Sequence, residues 1–213
     1  MSHARRLASA ALTTCLVAMG AVGTTVLSAG AADAATCPTA GQIVTDINAT
    51  ATVAGDLTSQ LFPLSKNSSP SDVQSAAQST ANGLNTMSNE LSTDTSALNG
   101  CPALSSSDST SVANAFDSLA STTNQTLNTL IGDHPIFAQY GLTAPITSSL
   151  RTLEAAFDSY AFTLVTVAPS QQGPVTDDQN SVNTSLDNAI TTYSQLCIPS
   201  PLYPILKPIC VTL

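Results

Sequence analysis

Beyond residue 35 the chain offers one histidine, His134, set in Asp133-His134-Pro135. An imidazole with a serine and a carboxylate would make a nucleophilic triad, and serines are abundant. The Gly-x-Ser-x-Gly turn that presents such a serine does not occur. His134 therefore reads as a loop residue, exposed or capping a helix. Glu154 and Asp158 stand one helical turn apart, a spacing that can imitate an acid–base carboxylate pair. Arg151 lies three residues before Glu154, so the three read better as a solvated helix face with a weak ion pair. A non-enzyme without a cofactor is expected. Cys37, Cys101, Cys197 and Cys210 show no CxxC or Cys/His spacing of the kind that holds a metal, so no metal is expected either.

The first residues say where such cysteines would act. Arg5 and Arg6 precede an apolar run from Leu7 to about Leu27, followed by Ala31-Ala32-Asp33-Ala34-Ala35. A basic start, an apolar middle and small residues at the exit are the layout of a secretory signal peptide over residues 1–35. The run is also long enough for an uncleaved anchor, but its Ala, Gly, Ser and Thr content favours cleavage. Destinations outside the cell, free or in a wall, follow. An even cysteine count in such a chain suggests two disulfides, with three connectivities open.

Removing residues 1–35 leaves 178 of 213 residues, enough for one domain with a core. Three basic residues remain, Lys66, Arg151 and Lys207, against thirteen acidic ones, a formal charge of −10. Nucleic-acid binding needs clustered cations to replace phosphate counterions, so that class is excluded.

Five amphipathic segments must position everything else. Ile43, Ile47, Thr50, Ala54, Leu57 and Leu61 recur at helical spacing over residues 39–62. Ser69-Pro70-Ser71-Asp72 then reads as an N-cap followed by proline at the first helical position, with Val73, Ala77, Leu84, Met87, Leu91 and Leu98 behind it. Gly83, inside this segment, costs roughly 1 kcal/mol against alanine. The third segment runs from Leu104 to Ile131, capped by Ser and Asp at its start and stopped by Gly132. Residues 132–141 follow as an apolar loop. The fourth, from Thr143, carries Ile146, Leu150, Leu153, Phe157 and Leu164; the fifth opens at the capping-box pattern Thr176-Asp177-Asp178-Gln179. After Cys197, four prolines exclude a long helix.

The fold class is thus all-α, an up-and-down bundle of about five helices over residues 36–198, with a proline-rich tail over 199–213. Antiparallel neighbours bring the start of segment one to the end of segment two, which pairs Cys37 with Cys101. Cys197 then lies at the other end, and Cys210 returns to it. Charged residues are only 9% of the chain, so the bundle leans on burial, yet its core positions include Thr and Ala. That composition fits an interior with room for a ligand as well as an ordinary Ala/Thr-rich core, and periodicity does not choose between them.

Several runs resemble one family. Ala103-Leu104-Ser105-Ser106-Ser107-Asp108-Ser109-Thr110-Ser111-Val112 before a long Leu/Thr/Ala helix is one. Others are Ile43-Val44-Thr45-Asp46-Ile47, the run from Leu150 to Ala156, and the run from Leu186 to Ser194. Together they resemble the fungal hydrophobic surface-binding protein A family, which includes cell-wall galactomannoproteins. The resemblance spans about Ile43 to Ser194; the cysteines and the tail are not matched to it. It implies a secreted or wall-associated helical protein that binds hydrophobic surfaces or, in some members, long-chain fatty acids inside the bundle.

On that reading Phe116, Leu127, Leu150, Phe157 and Leu186, large and central, are the candidate cavity residues. Arg151 is the candidate contact for a fatty-acid carboxylate, against the plainer reading of an exposed arginine paired with Glu154. Asn48, Asn67, Asn124 and Asn183 begin glycosylation sequons. Asn67, in a polar linker, is the strongest; the others flank apolar stripes and fit chance matches in a Ser/Thr-rich chain. The competing function is a structural wall mannoprotein, or an adaptor that recruits a secreted enzyme, with no cavity. A monomer is expected in either case.

Overall fold

The computed structural model describes residues 37–212, so the expected signal peptide lies outside the described residues. Five helices account for most of them: α1 (Ala40–Leu61), α2 (Pro70–Leu98), α3 (Ser106–Gln139), α4 (Thr143–Val167) and α5 (Gln172–Tyr193). Their starts follow the local chemistry. Thr39 accepts from the Gln42 amide while the Gln42 side chain accepts from the Thr39 amide, a reciprocal capping box. Ser69 caps α2 ahead of Pro70, and Ser105 caps α3 in the same way, each accepting an amide hydrogen bond at 3.2 Å from an aspartate three residues on.

Serine and threonine are mediocre helix formers because their hydroxyls compete for backbone groups. Here many of them donate to the carbonyl four residues back, as Thr52 does to Asn48 and Thr95 to Leu91. The hydroxyls are thereby satisfied within the helix, and burial of the apolar face supplies the stability.

Two boundaries differ from the sequence reading. α3 passes through Gly132 and Pro135 and ends at Gln139, so the expected loop over residues 132–141 is helical for most of its length. Ile136, Phe137 and Ala138 are buried there, and that burial outweighs the one backbone hydrogen bond Pro135 forgoes. The stop is Gly141, with φ of 68°; its amide bonds Ala138 and that of Leu142 bonds Phe137, the pattern of a left-handed helix end. α5 starts at Gln172, after a single 3₁₀ turn over Pro169–Gln171, four residues before the expected capping box. Val175, fully buried, draws this extra turn onto the core.

Each helix packs chiefly on two others, and the packing closes a ring in the order α1, α2, α4, α5, α3. The direction alternates along the sequence, yet α2 lies beside α4 and α3 beside both α1 and α5. One apolar core fills the ring, from Ile43 and Leu57 through Phe116 and Leu153 to Leu186 and Tyr193.

Both expected disulfides are present, Cys37–Cys101 and Cys197–Cys210. The tail adds what no alternating pattern announced: β1 (Leu196–Ile198) pairs antiparallel with β2 (Ile209–Val211), with Cys197 opposite Cys210. The side-chain amide of Gln139 receives the Ser200 amide at 2.8 Å and donates to the Ser200 carbonyl at 3.1 Å. The hairpin is thus fixed to the end of α3.

Candidate functional site

The five candidate cavity residues come from three helices of the ring, α3, α4 and α5. Phe116, Leu127, Leu150, Phe157 and Leu186 are all fully buried. The Phe116 and Phe157 rings lie 5.2 Å apart and tilted, and Tyr160 stands 6.2 Å from Phe116. The ring therefore gathers the predicted side chains into one apolar core, where each is fully buried.

Two buried tyrosines differ in what their hydroxyls meet. Tyr193 donates to the Leu130 carbonyl at 2.7 Å, tying α5 to α3. Tyr160 is buried with no partner for its hydroxyl. Burial, followed by the charges of Asp94 and Asp46, pushes that phenol well above its ordinary range.

Acidic groups face one another across the helix seams. Asp94 is raised to about 6 by burial and then by Asp46 and Glu90, on α1 and α2. Asp178 of α5 is raised to about 6 by burial and then by Asp117 of α3. Glu154 is raised by burial, then by Asp187 and Asp158; Arg151 opposes this only as the smallest influence. Arg151 itself is exposed and donates to Ser194 Oγ at 3.5 Å, so its nearest polar partner is across the α4–α5 seam rather than Glu154. Asp158 accepts from the amides of Gln179 and Asn183, both at 2.7 Å. A carboxylate held by two structural amides belongs to the packing of α4 on α5, not to acid–base chemistry.

His134 corrects the loop reading. It is buried in α3, its ring edge-on to Tyr193 at 5.0 Å, and burial lowers its pKa. Pro135 had suggested a turn; the apolar residues that follow bury this stretch as helix instead. Nε2 lies 3.8 Å from Cys197 Sγ, and His134, Cys197 and Cys210 form the cluster nearest to a metal set among the described residues. Both sulfurs are joined in the disulfide, so no thiolate exists there to ligate.

The sequons separate by environment. Asn67 is exposed between α1 and α2, and Asn48 is exposed on α1. Asn124 and Asn183 are half-buried at helix seams, with their amides donated to Ser181 and Asp158.

Sequence reasoning missed the surface that the tail makes. Leu196, Ile198, Leu202, Ile205, Leu206, Ile209 and Val211 are all exposed. Ile198, Leu202, Leu206, Lys207 and Ile209 line an open pocket of about 400 Å³. A second, of about 290 Å³, is lined by Lys66, Pro135, Ile136, Tyr203, Ile205 and Lys207. The available signal was the run of large aliphatics among prolines after Cys197.

The model of the family described as hydrophobic surface binding protein A matches residues 40–166, more than half of the chain and the span of α1 to α4. The chain belongs to the hydrophobic surface binding protein A family. No curated protein matches it. Among solved structures, the complex of AfMP4p with palmitic acid is 20% identical with a TM-score of 0.65, covering 73% of this chain and 99% of that one. Ligand binding domain 2 of Penicillium marneffei MP1, in complex with arachidonic acids, is 14% identical with a TM-score of 0.53, covering 72% and 91%. Ligand binding domain 1 of the same protein, also with arachidonic acids, is 14% identical with a TM-score of 0.52, covering 72% and 95%. At these identities the likeness establishes a shared fold.

Proposed function

We propose that this protein is a secreted, extracellular or wall-associated binder of hydrophobic material, whose small ligand is a long-chain fatty acid. It acts without catalysis. The observation that carries this reading is family membership over α1–α4, on a fold shared with proteins solved around palmitic and arachidonic acids. The interior of the ring is the matching place, because Phe116, Leu127, Leu150, Phe157 and Leu186 offer an acyl chain only apolar surface. Each methylene moved there from water contributes about 0.8 kcal/mol, which works against the cost of parting the packed rings. Arg151 is the carboxylate contact in this reading, and Asn67 the glycan carrier. Residues 1–35 direct export and are removed, so the exported chain starts at Thr36.

The test is native mass spectrometry of recombinant protein, followed by titration with palmitic and arachidonic acids. Co-purified lipid or a melting temperature that climbs with added acid is expected. A lipid-free protein whose melting temperature ignores both acids would sink the reading. Phe116→Trp should then weaken uptake more than it weakens folding. The full burial of all five side chains favours the second reading, a wall mannoprotein or adaptor without a cavity, and the same variant would there lose only stability.

A further inference from the structure

The last acidic residue before the tail is Asp187, so the stretch from Asn188 onward carries Lys207 and no carboxylate side chain. The rest of the described chain is strongly acidic. Of the three cations beyond residue 35, two, Lys66 and Lys207, line the same pocket at the tail. Seven aliphatics of this segment are exposed; Ile205, 83% exposed, shares that pocket, and Ile198, Leu202, Leu206 and Ile209 line the other one with Lys207. Phe62, 85% exposed, closes α1 four residues before Lys66 and so belongs to the same end of the bundle. Isolated exposed aliphatics are ordinary, but this many in one short segment mark a contact surface.

The segment is also built to hold its shape. Cys197–Cys210 closes it, the β1–β2 ladder sets its register, and Gln139 grips Ser200 from α3. Tyr140 meets Tyr203 edge-on at 6.4 Å. A fixed apolar tongue loses little freedom on docking. Apolar side chains flanked by lysines, on an otherwise acidic body, suit a layer that is apolar within and anionic at its face. That charge pattern also turns the body away from the layer.

We infer that the disulfide-closed hairpin over residues 196–211, with Lys66 and Lys207 beside it, is the surface-docking element of this protein, and that its partner is a lipid layer bearing anionic headgroups. This rests on the proposed binding of hydrophobic material and assigns the surface contact to the tail, outside the span the family model matches.

The experiment is sedimentation of the full protein with vesicles of phosphatidylcholine alone, or of three parts phosphatidylcholine to one part phosphatidylglycerol. Wild type pellets with both, and more with the anionic vesicles. The double change Ile205→Asp with Leu206→Asp touches exposed side chains, so the fold is kept, as an unchanged melting curve will show; vesicle partition drops roughly tenfold or more. Lys207→Glu removes the preference for anionic vesicles, and Phe162→Asp, on the exposed side of α4, changes nothing. Wild type that stays in the supernatant, or an Asp double variant that pellets like wild type, overturns the assignment. Palmitic-acid uptake by the same variants separates the two proposals. Uptake lost while vesicle binding is kept makes the open tail pocket a fatty-acid site and overturns the docking role. Vesicle binding without any uptake by wild type leaves the docking role standing and fails the interior reading.

Discussion

Gly83 shows how one residue can change meaning between sequence and structure. On sequence it is a helix defect, and alanine there would gain roughly 1 kcal/mol. In the fold it faces Leu57 of α1, and a Cβ would stand 2.7 Å from Leu57 Cγ and 2.8 Å from Cδ1. Leu57 is buried and has little space to yield. Gly83→Ala is therefore expected to lower stability, by about 1–3 kcal/mol, as measured by urea unfolding. A variant more stable than wild type would mean that α1 and α2 separate easily. His134 teaches the same lesson from the other side: the Asp-His-Pro triplet signals a turn, while the burial of Ile136 and Phe137 decides for helix.

The elements were legible in unequal measure. α1 follows its stripe, and α2 its cap and stripe, because cap chemistry and the 3.6-residue period act within a few residues of one another. The end of α3 and the start of α5 were misplaced because distant burial, of Phe137 and Val175, sets them. The Cys37–Cys101 bridge joins the start of α1 to the end of α2 across a sequence separation of 64 residues. Its removal by Cys37→Ser with Cys101→Ser frees the unfolded chain and should lower stability by about 4 kcal/mol on the loop-entropy account. Paired urea curves on the oxidised wild type and the double variant measure this; overlapping midpoints would show that the helical seam alone holds those ends.

At the scale of the molecule, the scarcity of cations governs pH behaviour. Asp94, Asp133 and Asp178 are each raised to about 6, against an ordinary 3.8, with burial the first cause in every case. Between those values the folded chain binds protons that the unfolded chain has released, so stability falls as pH rises through the window. His134 acts in the opposite sense. Its folded pKa is lowered from 6.5, so its contribution is present above that value and is lost as pH falls. Three carboxyls outweigh one imidazole, and the melting temperature is expected to be higher near pH 5 than near pH 7.5. Asp94→Asn should shrink that difference, and a flat or reversed profile over a melting series would contradict the assignment.

The sequence by itself determined the all-helical class, the serine caps of α2 and α3, the disulfide partners and the absence of a cationic surface for nucleic acid. All of these are fixed by local spacing, by composition or by the alternating direction of successive helices. It also placed Phe116, Leu127, Leu150, Phe157 and Leu186 on buried faces, since amphipathic period alone selects such positions. Only the tertiary structure decided that α2 packs on α4 and α3 on α1 and α5, because periodicity names the buried face of a helix but not its partner. It alone showed carboxylates meeting across seams, and it alone brought Lys66 to the tail beside Ile205 and Lys207. Residues so far apart in the chain become neighbours only once the ring of helices has closed.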